Sequence, residues 1–462
     1  MLNTYFYKGD FKDVWSRMLN KRAYSPSEIA NKHVWISIAL VVNAFVWYYI
    51  VLIRLQENLH DNNLSLWFWL IHFLAIIGSA LFGASLAKSI ERSRLAVFWM
   101  LLGTISSLFL FGTTESSFLV ISVVVFLLGS SLGLGMPACM SYFTDSVNVK
   151  KRGRVSGVTL LFSGIGIFAF GFAAQAIDSN IEIGIMLAIW RVFSLLLFLF
   201  AKSFQKTERK ENFVSYRAIV SQKSFVLYFT PWVMFSMINY LGIPLESTGG
   251  ILDQISLRIV QTGFMGIFAV VGGFFLDFVG RKRIAIAGFT LLGIGSAIMG
   301  LLTGTSNVAI LYFNAIIDGI AWGLLLVLFI LVLWSDLSYG STSDKYYALG
   351  VLPFFASRFL EITIGQDIMN IFTENKSALF SLTAFFLFLA VLPLVYAPET
   401  LSEKAIKDRE MKKYIEKAQK EAEKAHKKEA ENNQRENGDD EVEIETNQED
   451  YEEVLKEAEK YY

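Results

Sequence analysis

Four ionisable residues stand inside stretches that are otherwise apolar: Arg191, Asp318, Arg358 and Glu361. A charge at the centre of a bilayer costs about 2.5–3.5 kcal/mol on insertion scales, so such residues are functional candidates by default. Two cations and two acids leave two readings open. They form a buried ion network that holds helices together, or one charge is freed to hold a solute or a proton. Asp318 and Arg358 fall on consecutive helices and are placed to pair, while Arg358 and Glu361 lie three residues apart on one helical face. Gly365 and Gln366 continue that face. Arg191 has no acid at its own depth, since Asp178 and Glu182 lie outside it, and so favours an anionic solute. Asp318 is the best single candidate for a protonatable or cation-binding group.

Polar and aromatic residues at helical spacing extend the set. Asn314, Asp318 and Trp322 recur at intervals of four. Trp232, Ser236, Asn239 and Tyr240 follow a kink expected at Pro231, and Asn43 and Trp47 form a shorter group. These residues line a solute cavity or bond between helices as packing. His72 reads as a satisfied interhelical histidine rather than a proton relay. The four histidines His33, His60, His72 and His426 are scattered, so no metal site is expected. Without a nucleophile–base pair or a phosphate-cradling loop, neither an enzyme nor a cofactor is expected, nor nucleic acid as a partner.

The elements that must position these residues follow from composition. Hydrophobic residues make up 54% of the chain and charged residues 18%, against about 45–50% and about 25% in soluble domains. The excess is gathered in runs of about 20 residues, enough for a helix to cross a bilayer. Twelve spans are predicted, at about 33–53, 66–87, 95–112, 117–144, 155–176, 183–202, 224–245, 257–278, 284–303, 307–335, 346–371 and 377–397. The chain is thus read as an all-α integral membrane protein in the lipid bilayer. The polar lead of 32 residues is too long and charged for a cleavable signal, so span 1 is read as a retained anchor. A single cysteine, Cys139, permits no intrachain disulfide.

The N-terminus and loops 2–3, 4–5, 6–7, 8–9 and 10–11 carry 23 Lys and Arg residues. The opposite loops carry only Arg54, Arg258 and Lys376. The positive-inside rule therefore places both ends in the cytoplasm, in what is expected to be the plasma membrane. From Glu399 onward the balance reverses to 13 basic and 21 acidic residues. Leu401–Gln434 reads as an exposed helix, and 431–450 as acidic and disordered. The tail is a solvated extension or a docking segment for a cytosolic protein.

The chain also repeats itself. Gly129 and Gly133 recur as Gly319 and Gly323 at an offset of 190, as Gly83 does at Gly273. Two six-helix halves are therefore expected, 33–202 and 224–397, joined by a basic loop at 203–223, with 1–32 and 398–462 outside the membrane. Between spans 8 and 9 the sequence reads Gly273-x-x-x-Asp277-x-x-Gly280-Arg281-Lys282. Arg152-Gly153-Arg154-x-x-Gly157 precedes span 5, and Pro398-Glu399-Thr400 follows span 12. Over residues 33–400 these features resemble the major facilitator superfamily. The resemblance implies an alternating-access secondary transporter whose helices 1, 4, 7 and 10 line the cavity around a small-molecule solute, with a coupling proton or cation as a further partner.

The chain departs from that pattern in places. In loop 2–3 Ala87 stands where the acid belongs and Ile90 where the glycine belongs, and Val125 stands where helix 4 often carries an arginine used in proton coupling. Asp277 sits at the C-terminal end of its helix, where the dipole disfavours an anion. It is expected to latch onto the start of span 5, near Arg152 and Arg154, or else to be solvated. Lys88, Arg92 and Arg94 facing Asp336 and Asp344 form a second latch of reversed sign, or these loops are simply solvated. The alternative to transport is a transporter fold that has become a receptor or scaffold acting through its tail.

Overall fold

Inside a bilayer every backbone N–H and C=O must be satisfied within its own segment, and an apolar run does so by coiling. The computed structural model describes residues 32–60, 64–87, 89–114, 117–200, 214–242, 251–302, 308–338, 341–372 and 375–401, and among these the regular structure is helical throughout. The expectations for residues 1–31, for the middle of the basic loop and for the tail beyond Leu401 lie outside the described residues.

Ten described helices are long and apolar enough to cross a membrane. Spans 1 and 2 are Lys32–Leu59 and Ser65–Leu86. Span 4 is Phe118–Ser146; spans 5 and 6 are Arg152–Gln175 and Asn180–Phe200. Spans 8 and 9 are Ile251–Phe278 and Arg281–Leu302. Span 10 is Ala309–Leu337, span 11 is Asp344–Gly365, and span 12 is Lys376–Tyr396. The third and seventh places are filled by Arg92–Leu108, prolonged by a 3-10 turn at Leu110–Thr114, and by Lys223–Gly242.

Among the described spans three are interrupted, span 11 at Val351 between Asp344–Gly350 and Leu352–Phe372. Span 4 breaks after Gly133 and resumes at Met136, with Pro137 in the new first turn, where its missing N–H costs nothing. Span 10 passes through a π turn at Val327–Val332. There an aromatic cluster gathers: Trp232 stacks on Phe329 at 4.8 Å, and Trp334 lies 5.5 Å from Phe225. Large apolar side chains such as Leu119, Phe168, Phe172, Phe200 and Leu301 point outward, as a lipid-facing surface requires.

The two halves pack by the same rule. Span 2 lies on span 4 as span 8 lies on span 10. Spans 3 and 6 pair as spans 9 and 12 do, and spans 1 and 5 as spans 7 and 11 do. The repeated glycines explain the first match. A side chain at Gly129 or Gly133 would strike the backbone oxygens of His72 or Ile76 in span 2. One at Gly319 or Gly323 would strike those of Gln261 or Met265 in span 8. Across the seam between halves the contacts also come in a related pair, span 5 with span 8 and span 2 with span 11. The first closes from Gly153 and Gly273 as far as Leu161 and Gly266; the second includes Phe73 against Phe359 at 5.9 Å.

Because these glycines set helix separation, Gly133→Leu and Gly323→Leu are each expected to destabilise by about 1–3 kcal/mol through overpacking. Gly164→Ala, where an added methyl meets nothing within 4 Å, is expected to leave the melting temperature in detergent unchanged. Thermal unfolding of the three variants beside the unaltered protein measures both effects.

Candidate functional site

The first N–H groups of a helix have no partner within it and carry the positive end of its dipole. Span 5 turns that end toward span 8. Gly153 N–H donates to Asp277 Oδ1 at 2.8 Å and Arg154 N–H to Asp277 Oδ2 at 3.0 Å. Arg154 Nε adds a third bond at 3.2 Å. Its guanidinium lies over Phe274 and Phe278, 5.5 and 5.3 Å from the ring centres. The two backbones touch because Gly153 and Gly273 lack side chains; a Cβ on either would enter the other's carbonyl. The expected latch of Asp277 is thus present as a contact, buried rather than solvated.

Gly280 has φ 116°, a conformation L side chains rarely adopt, and it reverses the chain between spans 8 and 9. The reversal folds Arg281 back into the junction, where it is fully buried. Its Nη1 donates to Leu276 O at 2.5 Å and to Asp277 at 3.4 Å, and its Nη2 to Val149 O at 3.0 Å. Its Nε reaches Asp336 Oδ2 at 3.0 Å, while Arg152 Nη1 holds the other oxygen of Asp336 at 2.5 Å. Arg152 also donates to Thr144 O at 3.0 Å. Glu399 caps span 9 by accepting from the N–H groups of Arg281 and Lys282 at 2.9 and 3.3 Å. The Lys282 ammonium donates to Val395 O at 2.7 Å.

The reversed-sign latch takes a different form from the one predicted. Arg92 bridges Asp145 at 2.7 Å and Asp344 at 2.5 Å. Beside it the hydroxyls of Ser141 and Ser343 lie 2.6 Å apart. Asp336, however, is claimed by Arg152 and Arg281, not by loop 2–3. Arg94 is exposed and, among the described residues, pairs with Glu91 at 3.6 Å. The reason is depth: Asp336 is buried at the end of span 10, within reach of the starts of spans 5 and 9. Lys88 lies outside the described residues. A strap completes this end, since Tyr216 OH donates to Leu81 O at 2.7 Å and the Lys345 ammonium sits 5.1 Å above the Tyr216 ring.

At mid-depth the candidates separate into three groups. Arg191, Asn43 and Trp47 come together inside the first half, enclosed rather than facing the seam. The Arg191 guanidinium is sandwiched between Trp47 and Trp99, 4.3 and 4.6 Å from their ring centres. It donates to Asn43 Oδ1 at 3.3 Å, and its Nε and Nη2 have no hydrogen-bond partner. Two aromatic faces supply much of what a carboxylate would have supplied. Trp99 was not singled out from sequence, because nothing local marks it.

The second group is in the other half. Asn314 donates to Asp318 at 3.1 Å, one turn along the same helix. Trp322 meets Phe235 at 4.7 Å. Trp232 is buried and donates to Gly350 O at 2.8 Å, and Ser236 is buried beside it with its hydroxyl unbonded. The side chains of Asn239 and Tyr240 lie outside the described residues. The third group is Arg358 and Glu361, joined at 2.5 Å and both partly exposed. Across the seam, Tyr48 packs on Phe355 at 6.1 Å and is hydrogen-bonded to His72 at 3.4 Å.

Breaking one arm of a buried ion network leaves a charge without its partner, which costs about 3–5 kcal/mol. Asp336→Asn strands Arg152 and Arg281 together and is expected to lower the detergent melting temperature sharply. Arg94→Gln, at an exposed pair, is expected to change it little. The comparison of the two by thermal unfolding tests whether the network is as tightly coupled as its geometry.

Residues 34–333 match the family model of the Major Facilitator Superfamily, and residues 254–457 match that of the sugar (and other) transporters. No curated protein sequence matches the chain. Among solved structures it is similar to the proton:xylose symporter XylE bound to 6-bromo-6-deoxy-D-glucose, at 15% identity and a TM-score of 0.62, over 82% of this chain and 97% of that one. It is also similar to the human organic anion transporter MFSD10 (TETRAN), at 12% identity and a TM-score of 0.62, over 80% of this chain and all of that one. With the family model spanning most of the membrane body and the fold in agreement, the chain belongs to the Major Facilitator Superfamily and is a multi-pass membrane transporter of the secondary type.

Proposed function

We propose that the chain moves a small anionic or zwitterionic solute by alternating access, rocking the halves 33–202 and 224–397 about a site between them. The observation that carries the reading is the contrast between the basic-loop end of the seam and its middle. At the basic-loop end the halves are joined by ion pairs, among them Arg152 with Asp336 and Arg92 with Asp344. At mid-depth Arg358 and Glu361 remain partly exposed. By the positive-inside rule the locked end is cytoplasmic, as are both termini, and the site opens to the outside in the plasma membrane. No nucleotide-cradling loop is apparent in the sequence, and a solute or ion gradient supplies the drive.

The solute class is argued from charge. Arg358 and Glu361 present opposite charges 2.5 Å apart. A zwitterion answers both at once, its carboxylate taking Arg358 and its cation Glu361. Arg191, enclosed within the first half between two indoles, does not face that site. XylE and MFSD10 carry different cargoes by their titles, a sugar with a proton and an organic anion, so the fold alone does not choose.

A ligand that binds only the folded state raises stability, by about 2.7 kcal/mol at a hundred times its Kd. The purified protein is therefore expected to gain melting temperature with some members of a panel of organic anions and amino acids, and not with hydrophobic cations. Glu361→Gln and Arg358→Gln are expected to abolish the gain. Silence across the panel would overturn transport in favour of a scaffold.

A further inference from the structure

His72 is fully buried in span 2, yet its two ring nitrogens are not equivalent. Nδ1 lies 2.9 Å from the backbone oxygen of Val125 in span 4. A carbonyl oxygen only accepts, so Nδ1 carries the hydrogen. In the neutral ring Nε2 then holds a lone pair, and the group facing it is the hydroxyl of Tyr48, 3.4 Å away in span 1. Tyr48 therefore donates. The two rings lie parallel within 4° at 6.0 Å, and Trp69 and Phe73 close the histidine in edge-on at 6.0 and 5.5 Å. The acceptor nitrogen of His72 is thus turned toward Tyr48, which is half-buried at the seam.

The charged groups around this pair are few. Span 1 supplies Tyr48 itself. Span 4 faces His72 with Val125 and Gly129. Span 11 supplies Arg358, close enough to act electrostatically on Tyr48, and Glu361 bonded to it. Arg258 of span 8 acts in turn on Glu361. The histidine is therefore hydrogen-bonded to a tyrosine that feels the charge of Arg358, one member of the ion pair proposed to hold the solute.

We propose that Tyr48 and His72 form a proton-accepting pair that couples the seam between spans 1, 2 and 11 to pH; the proposal rests on the transporter reading above. The step balances without another reagent. A hydronium ion gives its proton to Tyr48 Oη, leaving water, as the phenol's own proton passes to His72 Nε2. The phenol is restored and the imidazole becomes an imidazolium. His72 then donates to Tyr48, reversing their hydrogen bond, and its new charge repels Arg358. Loading a proton thus loosens the Arg358–Glu361 pair in the same event.

The test is a histidine titration followed by NMR on the full chain in lipid nanodiscs, with 13C at Cε1 and 15N in the ring. The four histidines are assigned by elimination, using His33→Gln, His60→Gln and His426→Gln, so that no His72 variant need fold. At pH 8 the His72 signal is expected to show the Nδ1–H tautomer. In Arg358→Gln its midpoint is expected to rise by at least one unit over the unaltered protein, a tenfold change in proton affinity, because a nearby cation is gone. A signal that stays neutral to pH 4.5 in both proteins, or a midpoint that ignores Arg358→Gln, would overturn the proposal and leave His72 as packing. A failed solute screen would sink the transport reading without altering this titration, so the two failures are told apart.

Discussion

An acid at the C-terminal end of a membrane helix is badly placed, facing the negative end of its own dipole in a medium that solvates it poorly. Asp277 escapes only because another helix begins beside it. The bare N–H groups of Gly153 and Arg154 take its oxygens at 2.8 and 3.0 Å, and this is possible only where the two halves meet. The rest of the locked end is arranged around that constraint. Small residues let the backbones touch, Gly280 turns the chain, and Arg281 returns to fill the space beneath. The arrangement of the halves described here supplies that favourable site for the acid.

The fold was legible in sequence because its signals are local and periodic. Apolar runs of bilayer length gave the spans, and the Gly129/Gly133 and Gly319/Gly323 spacing marked the repeat that the packing displays. Asp277 and its partner were legible for the same reason: a dipole argument needs only the end of a helix. Asp336 was not. Reading loops as matched pairs sent it to loop 2–3, whereas depth and proximity gave it to Arg152 and Arg281. Pairing by repeat symmetry ignores which side chains are long enough to reach inward.

The buried cation tells a similar story. Arg191 stood out in sequence as a charge without an acid, and the search for a partner looked only among carboxylates and solutes. Its neighbours are the faces of Trp47 and Trp99, from two other helices. Tryptophans are common in membrane proteins for other reasons, so only the tertiary structure reveals a cage. The pair of His72 and Tyr48 was likewise hidden, since a hydrogen bond between spans 1 and 2 leaves no trace in spacing.

Glu399 joins two things that are otherwise separate. Its carboxylate grips the backbone of Arg281 and Lys282 at the first turn of span 9, and it lies at the point where the chain leaves the membrane body. Leu401 N–H also donates to that carboxylate, at 3.2 Å, so the last described turn of the chain is bound to the same turn that seats Arg281 in the junction.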